Sequence, residues 1–226
     1  MPYLYNMNYL NQTNQSQTIS YKKLRRAVGI VGISIPFVLY FGNYWLGNCS
    51  IVQSSISYYY YTKMSYFLVG SICAISFFLL CYNGVQKIDS IVANWAAFFA
   101  LGVAFFPTTF RGTLNTCVIL QNNNPAYFGT LHNIFAVLFF ITLACMSLFI
   151  FTLTNKNLPP SKQKLARNII YKICGYLILG CIVAIGIIFI FCNNLSWQPV
   201  FILESVALIA FGISWLVKGE MFMGDK

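Results

Sequence analysis

Long apolar blocks alternate with short polar segments along the chain. The apolar blocks cover residues 27–46, 64–82, 91–106, 131–153, 173–192 and 200–217, and none of them contains Lys or Arg. An α-helix needs about 20 apolar residues to cross the hydrocarbon core of a bilayer, which is about 30 Å thick. The pattern therefore predicts an all-α polytopic membrane protein, in which a bundle of six transmembrane helices covers residues 27–217.

Polar segments flank this bundle at both ends. The first 21 residues are rich in Asn, Gln, Tyr and Ser and carry no charge, and Lys22, Lys23, Arg25 and Arg26 follow them. Such a segment buries little apolar surface, and a basic run beside a helix is attracted to anionic lipid. We therefore expect residues 1–26 to form a disordered tail with a basic anchor, and residues 218–226 to form a second tail.

Composition narrows the class of protein further. Only 8% of the 226 residues are charged, whereas about 25% are charged in soluble domains. This difference excludes a soluble globular enzyme. The net charge of +10 is explained by basic segments next to a membrane, so no nucleic-acid partner is expected.

The basic residues also indicate an orientation. Cytoplasmic flanks are richer in Lys and Arg, and with the N-terminus inside, twelve of the fourteen basic residues become cytoplasmic. The two exceptions are Lys63 and Arg111. Trp45 and Trp197 then fall near the outer boundary and Trp95 and Trp215 near the inner one, as in interfacial aromatic belts.

Small residues predict how the helices pack. Ala96, Ala100 and Ala104 lie four residues apart on the third helix, and small residues let membrane helices approach closely. We therefore expect the third helix to be central. Because that apolar block is short, Asp89 and Ser90 are expected to cap its N-terminus.

Metal-ligating residues are scarce. The chain contains one His, His132, and its eight Cys residues include no C-x-x-C motif. Zinc and bis-His haem sites need several such ligands, so we expect neither a metal nor a cofactor.

Three cysteines are predicted to lie on the outer side, where disulfides form more readily. Cys49 and Cys117 sit in the two longest outer loops and are the preferred pair, and Cys192 is the third. The alternative is that all three thiols remain free.

An acidic residue inside a membrane helix is costly and marks a candidate functional site. Glu204 lies within the sixth helix, and its expected partners are His132 and Arg111. Together with the hydroxyl-rich and aromatic outer loop, these residues predict an outer-facing ligand pocket formed by Ser57, Tyr59, Tyr60, Thr62, Thr108, Arg111, His132 and Glu204. The alternative is a structural polar contact between the fourth and sixth helices, or a carboxylate that reaches toward the outer interface.

Two segments carry a family resemblance. The Ser55-Ile56-Ser57 segment before the second helix and the closing stretch from Glu204 to Gly219 resemble bacterial six-helix multipass proteins of unknown function. More distantly, the chain is similar to Frag/DRAM/Sfk-like membrane proteins, whose eukaryotic members are linked to lipid remodelling, phospholipid asymmetry and autophagy. The charge distribution predicts that both termini are cytoplasmic. The resemblance implies an integral protein of the bacterial inner membrane and implies no catalytic residue.

Several functions fit this sequence. The preferred one is the binding of a membrane lipid head group or a small polar ligand in the outer-facing pocket. The alternatives are a small proton-coupled transporter that uses Glu204, a lipid-modifying enzyme in which Ser57 or His132 acts as acid, base or nucleophile, and a subunit of a larger complex. The mid-span positions are mostly apolar, which disfavours a transporter, because substrate sites in transporters usually lie at the midplane.

The predicted topology can be tested by cysteine labelling. A Cys introduced at position 160, in the loop before the fifth helix, should be cytoplasmic because the basic residues around it favour that side. A membrane-impermeant thiol reagent should therefore leave it unmodified in intact cells and modify it after lysis. Labelling in intact cells would show the orientation to be reversed.

Overall fold

The computed structural model describes residues 2–84, 86–110, 117–119, 124–154, 159–191 and 199–223, with the backbone alone for residues 2–20. Within these ranges the chain is all-helical and contains no strand. The α-helices are α1 (Pro2–Trp45), α2 (Ser65–Leu80), α3 (Lys87–Phe105), α4 (Tyr127–Cys145), α5 (Lys162–Phe191) and α6 (Pro199–Lys218). A 3-10 helix at Ser57–Tyr61 precedes α2, and a π-helical segment at Met146–Ile150 extends α4.

Five of the six helices are long and apolar enough to cross a membrane. The exception is α2, which has 16 residues. At about 1.5 Å per residue it is about 24 Å long, and the 3-10 helix precedes it in the chain. The fold is thus the predicted six-helix bundle with one shortened member.

Four helices begin at least four residues before the predicted start. One of them is α4, which begins at Tyr127 instead of residue 131. The helix α1 begins at Pro2, so the segment for which we expected a disordered tail is helical, and extending an existing helix costs less than starting one. The helix α5 begins at Lys162 instead of residue 173. The helix α3 begins at Lys87 because Gln86, with Asp89 three residues later, forms a capping box.

The six helices form a ring. Each helix packs against its neighbours in the chain, and α6 closes the ring against α1. The helix α3 contacts α2 and α4, so it is one member of the ring and not its centre. Its alanines Ala93, Ala96, Ala97 and Ala100 are fully buried, and the Ser76 hydroxyl of α2 donates to the Ala97 carbonyl at 2.8 Å. The alanine row therefore brings α2 and α4 close to α3 without placing it in the middle.

The ring closes where two glycines face each other. A Cβ added at Gly29 of α1 would lie 2.7 Å from the Gly212 carbonyl oxygen, and a Cβ added at Gly212 of α6 would lie 2.6 Å from the Gly29 carbonyl oxygen. Real Cβ atoms do not approach that closely, so α1 and α6 touch through their backbones at this crossing. Glycine at both positions makes the closure sterically possible.

Basic residues collect at one end of the ring, which we call the basic end. The Lys22 ammonium lies 2.6 Å from the Glu220 carboxylate, and the Arg26 guanidinium donates to the Gly219 carbonyl at 2.9 Å. These contacts join the start of the apolar part of α1 to the end of α6.

An aromatic cluster fills the interior of the basic end. Trp215 is 1% exposed and packs edge-to-face on Tyr82 and Phe151, with ring centroids 5.1 and 5.3 Å away. It is therefore a core residue and not part of the expected interfacial belt. Arg25 lies over the Tyr82 ring and Lys218 over the Phe151 ring, so cation–π contacts hold basic side chains against this core.

The backbone contact between α1 and α6 can be tested with a Gly212→Ala variant. The added methyl group has no room at the crossing, and overpacking typically costs about 1–3 kcal/mol. The variant should therefore unfold at a lower temperature in detergent micelles.

A Gly70→Ala variant is the matched control, because no atom lies within 4 Å of a Cβ at Gly70. Alanine is the better helix former by about 1 kcal/mol, so this variant should melt at or above the wild-type temperature. Equal melting of the two variants would contradict the close crossing.

Candidate functional site

The loop between α1 and α2 folds over the end of the ring opposite the basic end. A disulfide joins Cys49 in this loop to Cys117 in the segment between α3 and α4, 68 residues apart. This is the pair that the sequence predicts, and we call this end of the bundle the disulfide end. The bridge links the two segments that border the candidate site, and so limits how far the loop can move from α3.

The tyrosine run in this loop is mainly structural. Tyr58 and Tyr61 form a small apolar cluster with the disulfide and Val118, and Phe110 packs against it. The Tyr61 hydroxyl donates to the Thr108 carbonyl. Because both rings are buried, they hold the loop against the segment after α3.

Two further members of the predicted pocket are also buried in the loop. Tyr59 is 0% exposed and packs against Phe201 of α6. The Thr62 hydroxyl is buried and donates to the Tyr59 carbonyl at 2.8 Å. Tyr60 is half-buried and borders only a small void of about 10 Å³, together with Ser57, Thr108 and His132. These side chains shape the loop and not a ligand site.

Glu204 attaches the loop to α6. Its Oε2 atom accepts a hydrogen bond of 2.6 Å from the Ile56 amide, and the Ser57 amide also faces the carboxylate. Amides at the first turn of a helix have no partner within that helix, and a carboxylate is a strong acceptor for them. Glu204 therefore caps the 3-10 helix from another part of the chain. A second bond, from the Phe201 amide to the Ser54 carbonyl at 3.2 Å, supports the same attachment.

His132 holds the other side of the loop. Its Nδ1 atom lies 2.6 Å from the Phe106 carbonyl oxygen, and its Nε2 atom lies 2.9 Å from the Ser57 hydroxyl oxygen. A carbonyl oxygen can only accept, so Nδ1 carries the hydrogen, and in the neutral ring Nε2 accepts the proton of the Ser57 hydroxyl. Both ring nitrogens are therefore occupied, and the expected ion pair between His132 and Glu204 is not formed. Arg111, the other expected partner, lies outside the described residues.

The local sequence explains why the Phe106 carbonyl is available to His132. Phe106 is the C-cap of α3 and has an extended backbone, and Pro107 follows it, which cannot continue a helix. The carbonyls of a last helical turn lack partners within the helix. A Cβ at Gly129 would overlap the Thr109 hydroxyl, so glycine lets the segment after α3 cross the first turn of α4 and brings Phe106 beside His132.

A cavity of about 330 Å³ lies under the loop, between α4, α5 and α6. Its volume falls at the lower end of the range for small-molecule sites, about 300–1,000 Å³. Its polar rim is formed by Ser55, Ser57, Thr108, His132, Asn133 and Glu204. Its apolar walls are formed by Ala136, Val137, Phe140, Ile182, Ile185 and Phe189, with Gly186 and Val200 beside them. The cavity is thus polar at the disulfide end and apolar toward the middle of the bundle.

The cavity lies in a gap between α4 and α5 toward the disulfide end. Near the basic end a Cβ at Gly175 would overlap Leu148, so the chain segments touch there, whereas no atom lies within 4 Å of a Cβ at Gly186. Val137 and Phe189 are 44% and 54% exposed. The cavity is therefore open sideways, between the two helices.

The structure brings together part of the predicted pocket. Ser57, Thr108, His132 and Glu204 line one cavity, while Tyr59, Tyr60 and Thr62 do not line it. The prediction missed Asn133, Gly186 and the Phe106 carbonyl. Asn133 offered a signal in the sequence, because it is a polar residue inside an apolar helix and follows His132 directly. The other two offered none, because their roles depend on spacing between helices.

Among the described residues, no three side chains of His, Cys, Asp or Glu lie close enough to share a metal ion.

No known protein family matches the chain, and no curated protein or solved structure is significantly similar to it.

The buried loop predicts a response to alkaline pH. Burial raises the pKa of Tyr59 from 10.0 to about 12. The unfolded chain therefore loses this proton before the folded chain does, so the contribution of Tyr59 to stability is complete below pH 10 and is lost as the pH rises toward 12. The melting temperature of the wild type should accordingly fall relative to that of a Tyr59→Phe variant between these two pH values, by an amount equivalent to at most about 2 kcal/mol.

A Tyr66→Phe variant serves as the control for this measurement. It removes a hydroxyl from a side chain that is 90% exposed, so it should follow the wild type across the same pH range. A Tyr59→Phe variant that also follows the wild type would mean that the loop is not closed over Tyr59.

Proposed function

We propose that this chain is an integral membrane protein that binds a membrane lipid in the cavity between α4, α5 and α6. The head group would lie at the rim formed by Ser57, His132 and Glu204, and the hydrocarbon chain would lie between α4 and α5. One observation carries the proposal: the cavity is polar at one end, apolar along its walls and open sideways between two apolar helices. This distribution matches an amphipathic ligand that enters from a bilayer.

The charges support a membrane orientation with the basic end in the cytoplasm. Among the described Lys and Arg residues, Lys63 is the one that lies at the disulfide end. Lys and Arg concentrate on cytoplasmic flanks, and disulfides form on the opposite, more oxidising side. Both termini would then be cytoplasmic and the cavity would face the outer leaflet. The resemblance to bacterial multipass proteins, and more distantly to Frag/DRAM/Sfk-like proteins, favours an inner-membrane location.

The rim also favours a class of head group. The described residues that line the cavity include no Lys or Arg, which are the side chains that usually hold phosphate. Hydroxyl, imidazole, amide and carboxylate groups are present instead. They suit an uncharged head group that bears hydroxyls or esters better than a phosphate.

A proton-coupled transporter is less well supported. The carboxylate of Glu204 is engaged with the backbone amides of the loop, and releasing it would uncap the 3-10 helix. A transporter site also needs polar groups near the midplane of the bundle, whereas the cavity walls toward the middle are apolar.

Filling the cavity should displace the lipid. In a Gly186→Trp variant the indole would occupy the space between α4 and α5. The amount of co-purified lipid should fall about tenfold, because overpacking costs about 1–3 kcal/mol and about 1.4 kcal/mol corresponds to a factor of ten. Native mass spectrometry of the protein released from mild detergent measures the lipid adduct directly.

A Gly180→Trp variant is the matched control. Gly180 lies on the same helix and also has no atom within 4 Å of its Cβ, but it does not line the cavity. It should retain wild-type lipid. Loss of lipid from both variants, or from neither, would contradict binding at this site.

A further inference from the structure

We propose that Ser57 and His132 form a nucleophile and general base that cleave or transfer the acyl ester of the lipid in the cavity. This inference rests on the proposed function, because it needs a lipid whose ester reaches the rim. It concerns a different property, however, since a protein can bind lipid without reacting with it.

The geometry is that of an activated hydroxyl. The Ser57 oxygen lies 2.9 Å from His132 Nε2, and the Phe106 carbonyl lies 2.6 Å from Nδ1. A nucleophile, a base and a third group that fixes the tautomer of the base are the three parts of a serine hydrolase site. Here a backbone carbonyl takes the place of the usual carboxylate. Because the carbonyl accepts from Nδ1, it leaves the lone pair of Nε2 directed at the hydroxyl.

A purely structural role explains these contacts less well. The loop is already attached by the disulfide, by the Glu204 carboxylate on the Ile56 amide and by the Tyr61 hydroxyl on the Thr108 carbonyl. None of these bonds involves the Ser57 hydroxyl. His132 is 4% exposed, yet both residues border the cavity and do not lie in the closed core. A polar pair that faces a ligand-sized space is available to react with its contents.

The proposed acyl transfer needs no cofactor. The Ser57 oxygen attacks the ester carbonyl carbon while His132 Nε2 takes the hydroxyl proton. The carbon–oxygen bond to the alcohol then breaks, and His132 returns the proton to the leaving oxygen, so an acyl group remains on Ser57. Water, or the hydroxyl of a second lipid, attacks this acyl group by the same route, which releases the fatty acid or a new ester and restores Ser57.

The surroundings of the pair suit a carboxylic ester of a lipid. Asn133 and Thr108 line the same cavity and carry side-chain donors that an oxyanion can use. The apolar walls between α4 and α5 accept an acyl chain. The Phe106 carbonyl stabilises the imidazolium less than a carboxylate would, so we expect a slower reaction than that of a Ser-His-Asp enzyme.

A covalent probe tests the proposal on the full chain in mild detergent. A long-chain alkyl fluorophosphonate forms a bond from phosphorus to an activated serine oxygen and releases fluoride, while the serine proton passes to the base. Peptide mapping of the wild-type protein should place the label on Ser57. The label should be absent from Ser57→Ala, and its rate of formation should fall about 100-fold or more in His132→Gln, because a general base contributes about 10²–10⁴-fold.

A Ser54→Ala variant controls for non-specific labelling and for damage to the loop. Ser54 lies in the same segment with an exposed side chain, and its carbonyl, which the substitution keeps, accepts from Phe201. The Ser54→Ala protein should be labelled on Ser57 at the wild-type rate. Steady release of p-nitrophenol from p-nitrophenyl decanoate, lost in Ser57→Ala, would support turnover.

The outcomes separate this inference from lipid binding. Wild-type protein that carries lipid in native mass spectra but is not labelled at Ser57 would overturn the proposed chemistry and leave lipid binding intact. Label on another residue, or an unchanged rate in His132→Gln, would also overturn it. Label on Ser57 in a protein without co-purified lipid would support the nucleophile and contradict the proposed ligand.

Discussion

The bond between the Glu204 carboxylate and the Ile56 amide fixes the part of the molecule on which the candidate site depends. It joins α6 to the start of the 3-10 helix through a hydrogen bond of 2.6 Å. This bond fixes the position of the loop relative to the ring of helices. Ser57 is the next residue along the chain, and this position of the loop brings its hydroxyl within hydrogen-bond distance of His132. Ile56 is buried, so separating its amide from the carboxylate would leave a buried donor without a partner, which is costly.

The cavity is formed jointly by this loop and by the helices α4, α5 and α6. The helices α4 and α5 are close where Gly175 meets Leu148 and are apart where Gly186 faces open space. The loop covers the wide end with polar groups, while the helices supply apolar walls. The cavity therefore has polar groups at one end and apolar walls at the other.

The two ends of the bundle are stabilised by different interactions. At the disulfide end a covalent bridge and buried tyrosines hold an irregular segment. At the basic end Trp215 lies between Tyr82 and Phe151, and cations lie over the aromatic rings. The basic end thus combines a packed aromatic interior with a charged surface.

The sequence by itself determined the number of helices and the separation of charge between the two ends, because both follow from the cost of placing polar groups among apolar ones. It also indicated the Cys49–Cys117 pair and four members of the cavity, since Ser57, Thr108, His132 and Glu204 all occur where the topology predicts the same end. Only the tertiary structure decided which groups these residues bind. Glu204 meets a backbone amide and His132 meets the Phe106 carbonyl, and backbone groups are present at every position, so no pattern of side chains reveals them. The order of the helices in the ring and the gap at Gly186 also depend on the tertiary structure. Both are set by distances between helices, which the spacing of residues along one helix does not specify.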